Sequence, residues 1–200
     1  MRDYYLRTTY DHEHRWMSFY YLINETRKLE PGSILEVGIG NSFVSNYLKD
    51  RGLKVTTLDI EPELKPDIVG DVTALPCQDN EYDLVICSEV LEHIPFEKFP
   101  IALKEINRTT KKYVIISLPH WGWTFYSILK VPLLRKVSWM IKISGLKKHI
   151  FDGDHYWEIG KRGFKLSKVR NLMEKSGFRI IRDYIRPESP FHHFFILEKV

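Results

Sequence analysis

Apolar residues recur along the 200-residue chain with two different periods. Five short runs, Ile34–Val37, Lys54–Leu58, Asp67–Val69, Tyr82–Cys87 and Tyr113–Leu118, have the length and the Val, Ile and Leu content of buried strands. Helical spacing lies before and between them. It covers residues 12–29, where Trp16, Phe19, Tyr20 and Ile23 precede Arg27 and Lys28, and it returns at Phe43–Arg51 and Phe96–Arg108. A last helix is predicted over Lys165–Ser176 and stops at Gly177. Two further strand-like runs, Phe178–Ile185 and His192–Lys199, flank the joint "RPESPF", which is short enough for an antiparallel hairpin. Strands alternating with helices predict an α/β fold, a doubly wound and mostly parallel sheet with right-handed crossovers. One domain is expected over 1–200: an N-terminal helix at 12–29, a core at 33–118, an insert at 119–165, and the last helix and hairpin at 166–200.

Ligands of open parallel sheets gather at the carboxyl ends of the strands. The predicted ends carry Glu36-x-Gly38-x-Gly40, then Asp59, then Gly70-Asp71-Val72, then Ser88-Glu89. Glycines let the backbone approach a ligand closely. Asp59, about twenty residues beyond the turn, suits a ribose diol. A pyrophosphate-binding turn, however, needs glycine or alanine where this chain has Phe43. The carboxylates would also repel a phosphate. They favour a ligand with hydroxyls, an amino group and positive charge, and S-adenosylmethionine has all three.

The run Ile34–Pro95 resembles the cofactor half of the class I S-adenosylmethionine-dependent methyltransferases, in particular the small-molecule group called methyltransferase type 11. "ILEVGIGNS" is similar to their glycine motif, "TLDIEP" to their ribose acid, "GDVTALP" to their adenine strand end and "YDLVICSEVLEHI" to their fourth-strand motif. The resemblance implies a seven-stranded Rossmann-like sheet with an antiparallel last strand, and Phe178–Lys199 supplies the final pair. It implies that Gly38 and Gly40 face the methionine part of the cofactor and that Glu36 organises the turn and the α-amino group. Asp59 takes the ribose hydroxyls, with Ile60 in the same cofactor-binding set. Asp71 and the Val72 amide hold the adenine edge, and Ser88 sits beside the methionine end. Many relatives have a third glycine where this chain has Ser42. The product would be S-adenosylhomocysteine.

Methyl transfer from a sulfonium mainly needs alignment of nucleophile, methyl and sulfur. A base is needed where the acceptor loses a proton, as a hydroxyl does. The expected acceptor is a small-molecule or lipid-linked compound, methylated at oxygen. Candidate catalytic bases near the carboxyl edge are His93 in "VLEHIP", His120 in "SLPHWGW" and His155 in "GDHYWEIG". His120, Trp123, Tyr156 and Glu158 are the candidate acceptor-binding residues, whereas Trp157 is expected to pack the insert on the core.

The insert changes the charge picture. The net charge of +4 is modest, yet no acidic residue lies between Glu105 and Asp152. A helix is predicted over Leu133–Ser144, bracketed by Pro132 and Gly145, with Leu133, Leu134, Val137, Met140 and Ile141 on one face. Arg135, Trp139 and Lys142 share the other. A tryptophan on a basic face suits peripheral contact with an anionic membrane through residues 121–150. The alternatives are a lid with a solvated basic side or a grip on an anionic soluble substrate. Nucleic acid is the least favoured partner, because the aromatics match no known module.

Other features narrow the classes. The N-terminus has no apolar signal core, and no uncharged apolar run reaches about 18 residues. With Cys77 and Cys87 as reduced thiols, a cytoplasmic protein is expected, at most peripheral to a membrane. No metal site is expected: His12-x-His14, Asp152-x-Asp154-His155 and His192-His193 lack a standard ligand pattern and read as a solvated face or loop. An NAD(P)-dependent oxidoreductase is opposed by Phe43. A non-catalytic membrane- or RNA-associated module is opposed by the intact cofactor acids. The sequence does not fix the oligomeric state.

Overall fold

The computed structural model describes residues 12–130, 132, 137–151 and 153–200. Helix α1 (Glu13–Leu29) starts at His12, whose side chain accepts from the Arg15 amide. Strand β1 (Ser33–Val37), helix α2 (Phe43–Asp50) and strands β2 (Lys54–Asp59), β3 (Ile68–Val69) and β4 (Tyr82–Ser88) follow. Two single 3₁₀ turns, Leu91–His93 and Phe96–Lys98, lead into α3 (Phe99–Thr109) and β5 (Thr110–Pro119). After the insert come α4 (Leu166–Lys175) and a hairpin, here called β8 (Phe178–Arg186) and β9 (Ser189–Lys199) because two insert strands precede it.

The seven strands run in the order β3-β2-β1-β4-β5-β9-β8. Strands β1 to β5 pair in parallel, and β9 is antiparallel to both its neighbours. The expected fold class and antiparallel last strand are therefore present. The carboxyl ends of β1–β5 and the amino end of β9 meet at one edge, with Pro119 opposite His192.

Near-continuous apolar runs are what a sheet covered on both faces requires. On one side Leu35, Val85, Cys87, Val114 and Ile116 pack with Phe99, Leu103 and Ile106 of α3 and Val169 and Met173 of α4. On the other, Ile34, Leu84, Ile86 and Ile115 pack with Phe19 and Leu22 of α1 and Val44 and Leu48 of α2. Neighbouring strand residues thus serve opposite cores, as a period of two dictates.

Two expectations are corrected. His192 and His193 do not lie on a solvated face or loop. Strand β9 begins at Ser189, and its position between β5 and β8 leaves each histidine only 4% exposed.

The insert is also not helical where it is described. Strands β6 (Trp123–Leu129) and β7 (Val137–Ile143) form a separate antiparallel pair, and Leu133–Lys136 lie outside the described residues. Trp123 faces Ile143, Phe125 faces Ile141 and Ser127 faces Trp139. Val137, Trp139, Ile141 and Ile143 alternate with Ser138, Met140 and Lys142, so a period of two wins once a partner strand is present. Trp139 therefore joins the apolar side, and Lys142 lies on the other. Among the described residues, no helix is long and apolar enough to cross a membrane.

Candidate active site

The glycine turn follows β1 and is held from both sides. Gly38 and Gly40 have φ of 78° and 50°, and Ser42, at 60°, shares the left-handed conformation that glycine adopts at lower cost. The Gly38 amide donates to the Leu58 carbonyl at 2.8 Å. A Cβ on Gly38 would lie 2.1 Å from Val90 Cγ2, so this turn packs directly against the segment after β4.

Asp59 ends β2 and ties the turn to it. Its Oδ2 accepts from the Ile39 amide at 2.9 Å, and its Oδ1 from the Glu61 amide at 3.0 Å. Ile60 beside it is 62% exposed. Asp71 uses Oδ1 to accept from the Thr73 amide and hydroxyl, a local turn that also buries Val72.

Glu36 is buried under the same turn, and its Oε2 has no hydrogen-bond partner. Burial pushes its carboxyl up to about 7, while Ser45 and the Lys49 charge pull it down. A buried carboxylate with one idle oxygen beside left-handed glycines suits a ligand that brings an amino group. The cofactor expected from the sequence has one.

Phe43 is not a steric misfit. It opens α2, and its ring stacks on Phe19 at 5.2 Å and meets Trp16 edge-on at 4.9 Å. The bulky ring anchors α1 beside the turn.

The next strand ends carry polar groups of two kinds. Ser88 and Ser117, at the ends of β4 and β5, share a hydroxyl contact of 2.7 Å, and Ser117 donates to Glu89 Oε1 at 2.8 Å. Glu89 Oε2 lies 3.8 Å from His192 Nε2.

The candidate bases separate into two groups. His93 and His155 come together, with ring centroids 5.0 Å apart. His93 Nδ1 is 2.9 Å from Asp154 Oδ1, and His155 Nδ1 is 3.4 Å from Glu158 Oε1. Glu158 in turn accepts from Lys161 at 2.8 Å. His120 instead stacks on His193, Nδ1 to Nδ1 at 2.9 Å, and His193 Nε2 is 3.4 Å from Asp183, which Arg170 grips with two bonds.

Burial, reinforced by His193, Lys142 and Arg170, pushes His120 down to about 3. For His155 burial acts in the same direction, but Glu158, Asp154 and Glu89 outweigh it and raise it. His155 is therefore the stronger proton acceptor.

The acceptor-binding candidates also part company. Tyr156 donates its amide to the Glu92 carbonyl at 2.8 Å and rests its ring on Phe151. Trp123 is 60% exposed on the insert hairpin. Trp157 is fully buried, as expected, and its Nε1 donates to the Leu91 carbonyl at 3.1 Å. Glu92, Ser117 and Asp183, not singled out from the sequence, complete the edge together with His192 and His193, which the sequence assigns to a solvated face or loop. Glu92 stood inside the quoted "SEVLEHI", which was the available signal.

Known proteins share sequence and fold with this chain. Residues 35–117 match the model of a family described as a methyltransferase domain. The ubiquinone biosynthesis O-methyltransferase of Hydrogenovibrio crunogenus is 27% identical over 122 residues, which are 54% of this chain and 46% of that protein. The demethylmenaquinone methyltransferase of Renibacterium salmoninarum is 36% identical over 104 residues, 45% of this chain and 43% of that protein. The chain thus spans less than half the length of these curated relatives in each match. The magnesium protoporphyrin IX methyltransferase of Synechocystis PCC 6803, crystallised with SAH, superposes with a TM-score of 0.62 at 16% identity, over 94% of this chain and 84% of that one. The matched segment and the strand order agree: residues 35–117 match a methyltransferase domain, and the described chain shares the fold of solved methyltransferases.

Proposed function

We propose that the chain transfers a methyl group from S-adenosylmethionine to an oxygen of a small-molecule or lipid-linked acceptor. The observation that carries this reading is the buried Glu36 with its unpartnered Oε2 beside the left-handed Gly38 and Gly40. In this reading the turn admits the methionine end, Glu36 receives the α-amino group and Ser88 flanks it. Asp59 takes the ribose hydroxyls, Ile60 covers the adenosine, and Asp71 with the Val72 amide holds the adenine edge. The cofactor, when bound, brings a methyl already activated on a sulfonium. The chain's task is then alignment and removal of one proton. His155 is the preferred base and His93 its neighbour, while His120 borders the acceptor as a neutral imidazole. The name of one relative specifies O-methyl transfer, which supports oxygen as the acceptor atom.

Glu36 gives this reading a pH signature. Its carboxyl is raised to about 7 from an ordinary value of 4.5, chiefly by burial. The protonated fold is therefore favoured: this contribution to stability is full below the unfolded value and is lost as pH rises through the folded one. Binding an ammonium group needs the ionised form. Affinity for S-adenosylmethionine is expected to rise about 16-fold in all between about pH 5.5 and 7, where an α-amino group stays charged. Calorimetry on Glu36→Gln should show that slope flattened. An unchanged slope would remove Glu36 from the amino-group site.

The lipid-linked half of the proposal rests on the insert hairpin. Trp123, Phe125, Leu129, Trp139, Ile141 and Ile143 lie on one side of it, each 44–60% exposed. So large an apolar face on a segment with basic and no acidic residues suits an anionic bilayer, with tryptophans at the interface. Co-sedimentation with anionic vesicles is expected to fall at least about tenfold in a Trp139→Ser, Ile141→Ser variant, since each buried side chain contributes roughly 1.5–3 kcal/mol. Equal sedimentation of variant and wild type would reject the membrane reading and leave the methyl donor untouched.

A further inference from the structure

We infer that the chain binds a divalent cation between Glu92, His93 and His155. The potential ligand atoms of these three residues all lie within 4.8 Å of one another. Glu92 has no solvent exposure, and neither of its carboxylate oxygens has a hydrogen-bond partner. A carboxylate in that state is costly unless positive charge faces it. His93 Nε2 lies 3.8 Å from Glu92 Oε1, too far for a hydrogen bond. Two bonds of about 2.1 Å at a tetrahedral angle would set ligand atoms about 3.4 Å apart, so a small shift seats both on one ion.

The surroundings match what ligating histidines need. A second ring nitrogen held by a carboxylate fixes orientation and raises basicity. His93 Nδ1 has Asp154 Oδ1 at 2.9 Å, and His155 Nδ1 has Glu158 Oε1 at 3.4 Å. Glu158 is itself fixed by Lys161 at 2.8 Å. The far-apart halves of the cluster are locked together by backbone. The Tyr156 amide donates to the Glu92 carbonyl at 2.8 Å, and Trp157 Nε1 to the Leu91 carbonyl at 3.1 Å. No standard spacing links Glu92-His93 with His155, so the sequence predicts no metal here. The residues meet only because the end of the insert returns to the turn after β4.

Two imidazoles and one carboxylate suit Mn²⁺ or Zn²⁺ better than Mg²⁺ or Ca²⁺. Three protein ligands also leave coordination positions open. The site adjoins the segment after β4 that packs on Gly38. An ion there would hold a hydroxyl acceptor and lower its pKa, and with His155 engaged as a ligand the proton would leave to water instead of to that imidazole. This role rests on the methyl-transfer reading, and the binding of the ion does not.

Titration of the full chain, stripped of metal, with Mn²⁺ alone tests the inference through loss of the free-ion paramagnetic resonance signal. One Mn²⁺ per chain is expected, with Zn²⁺ competing for the same site. His93→Ala should weaken binding at least about 30-fold, and Asp154→Asn, at a position whose side chain is 63% exposed, by about tenfold without threatening the fold. Failure of the wild type to bind Mn²⁺ or Zn²⁺ at millimolar ion would overturn the site. Equal binding by a folded His93→Ala, or by Asp154→Asn and wild type, would also overturn it. Cofactor binding measured on the same preparation separates this failure from a failure of the methyl-donor reading.

Discussion

Gly38→Ala is expected to lower folding stability by roughly 2–5 kcal/mol and to remove measurable cofactor binding. Two separate terms contribute. Gly38 has a φ of 78°, where an L-residue costs about 1–2 kcal/mol. The added Cβ also falls 2.1 Å from Val90 Cγ2. Valine is stiff at χ1, so relief needs a backbone shift, and such overpacking costs about 1–3 kcal/mol. The shift would move the turn away from Glu36 and from the Asp59 carboxylate that holds the Ile39 amide. Urea unfolding measures the first effect and cofactor titration the second. Adding Val90→Ala should recover the steric part and leave the conformational part. A Gly38→Ala chain within about 0.5 kcal/mol of wild type would refute the packing described for the turn.

Trp157→Ala should cost a further large amount, about 3–5 kcal/mol by equilibrium unfolding. The side chain is fully buried and meets Phe96, Phe99 and Phe164. Truncation leaves a cavity and an unpartnered Leu91 carbonyl. Because Trp157 pins the end of the insert, the loss should also loosen His155 and Glu158. Trp157→Phe keeps most of the volume, and about 1 kcal/mol is expected from the missing hydrogen bond. A change below about 1 kcal/mol for Trp157→Ala would mean that the insert is not anchored there.

The readability of these elements follows their physics. The five parallel strands were legible because both faces are covered, which turns each into an apolar run. The candidate cofactor edge was legible because its residues end consecutive strands, so their spacing is local. The hairpin β6–β7 was not. Val137, Met140 and Ile141 fit a helical face, and only pairing with Trp123–Leu129, a non-local event, settles the period. His192 and His193 look like a polar pair, yet adjacent residues on an interior strand point to opposite cores and both are buried. Phe43 was legible as a departure from a pyrophosphate turn, but its partner Phe19, across to another helix, was not readable. The cluster of Glu92, His93 and His155 needed the fold, because the insert brings its members together.

Calorimetric titration of the full chain with S-adenosylmethionine, beside reduced nicotinamide dinucleotide, tests the central claim most directly. The account predicts saturable one-to-one binding of S-adenosylmethionine in the micromolar range and no binding of the dinucleotide. Absence of S-adenosylmethionine binding at millimolar concentration, or tighter binding of the dinucleotide, would contradict it.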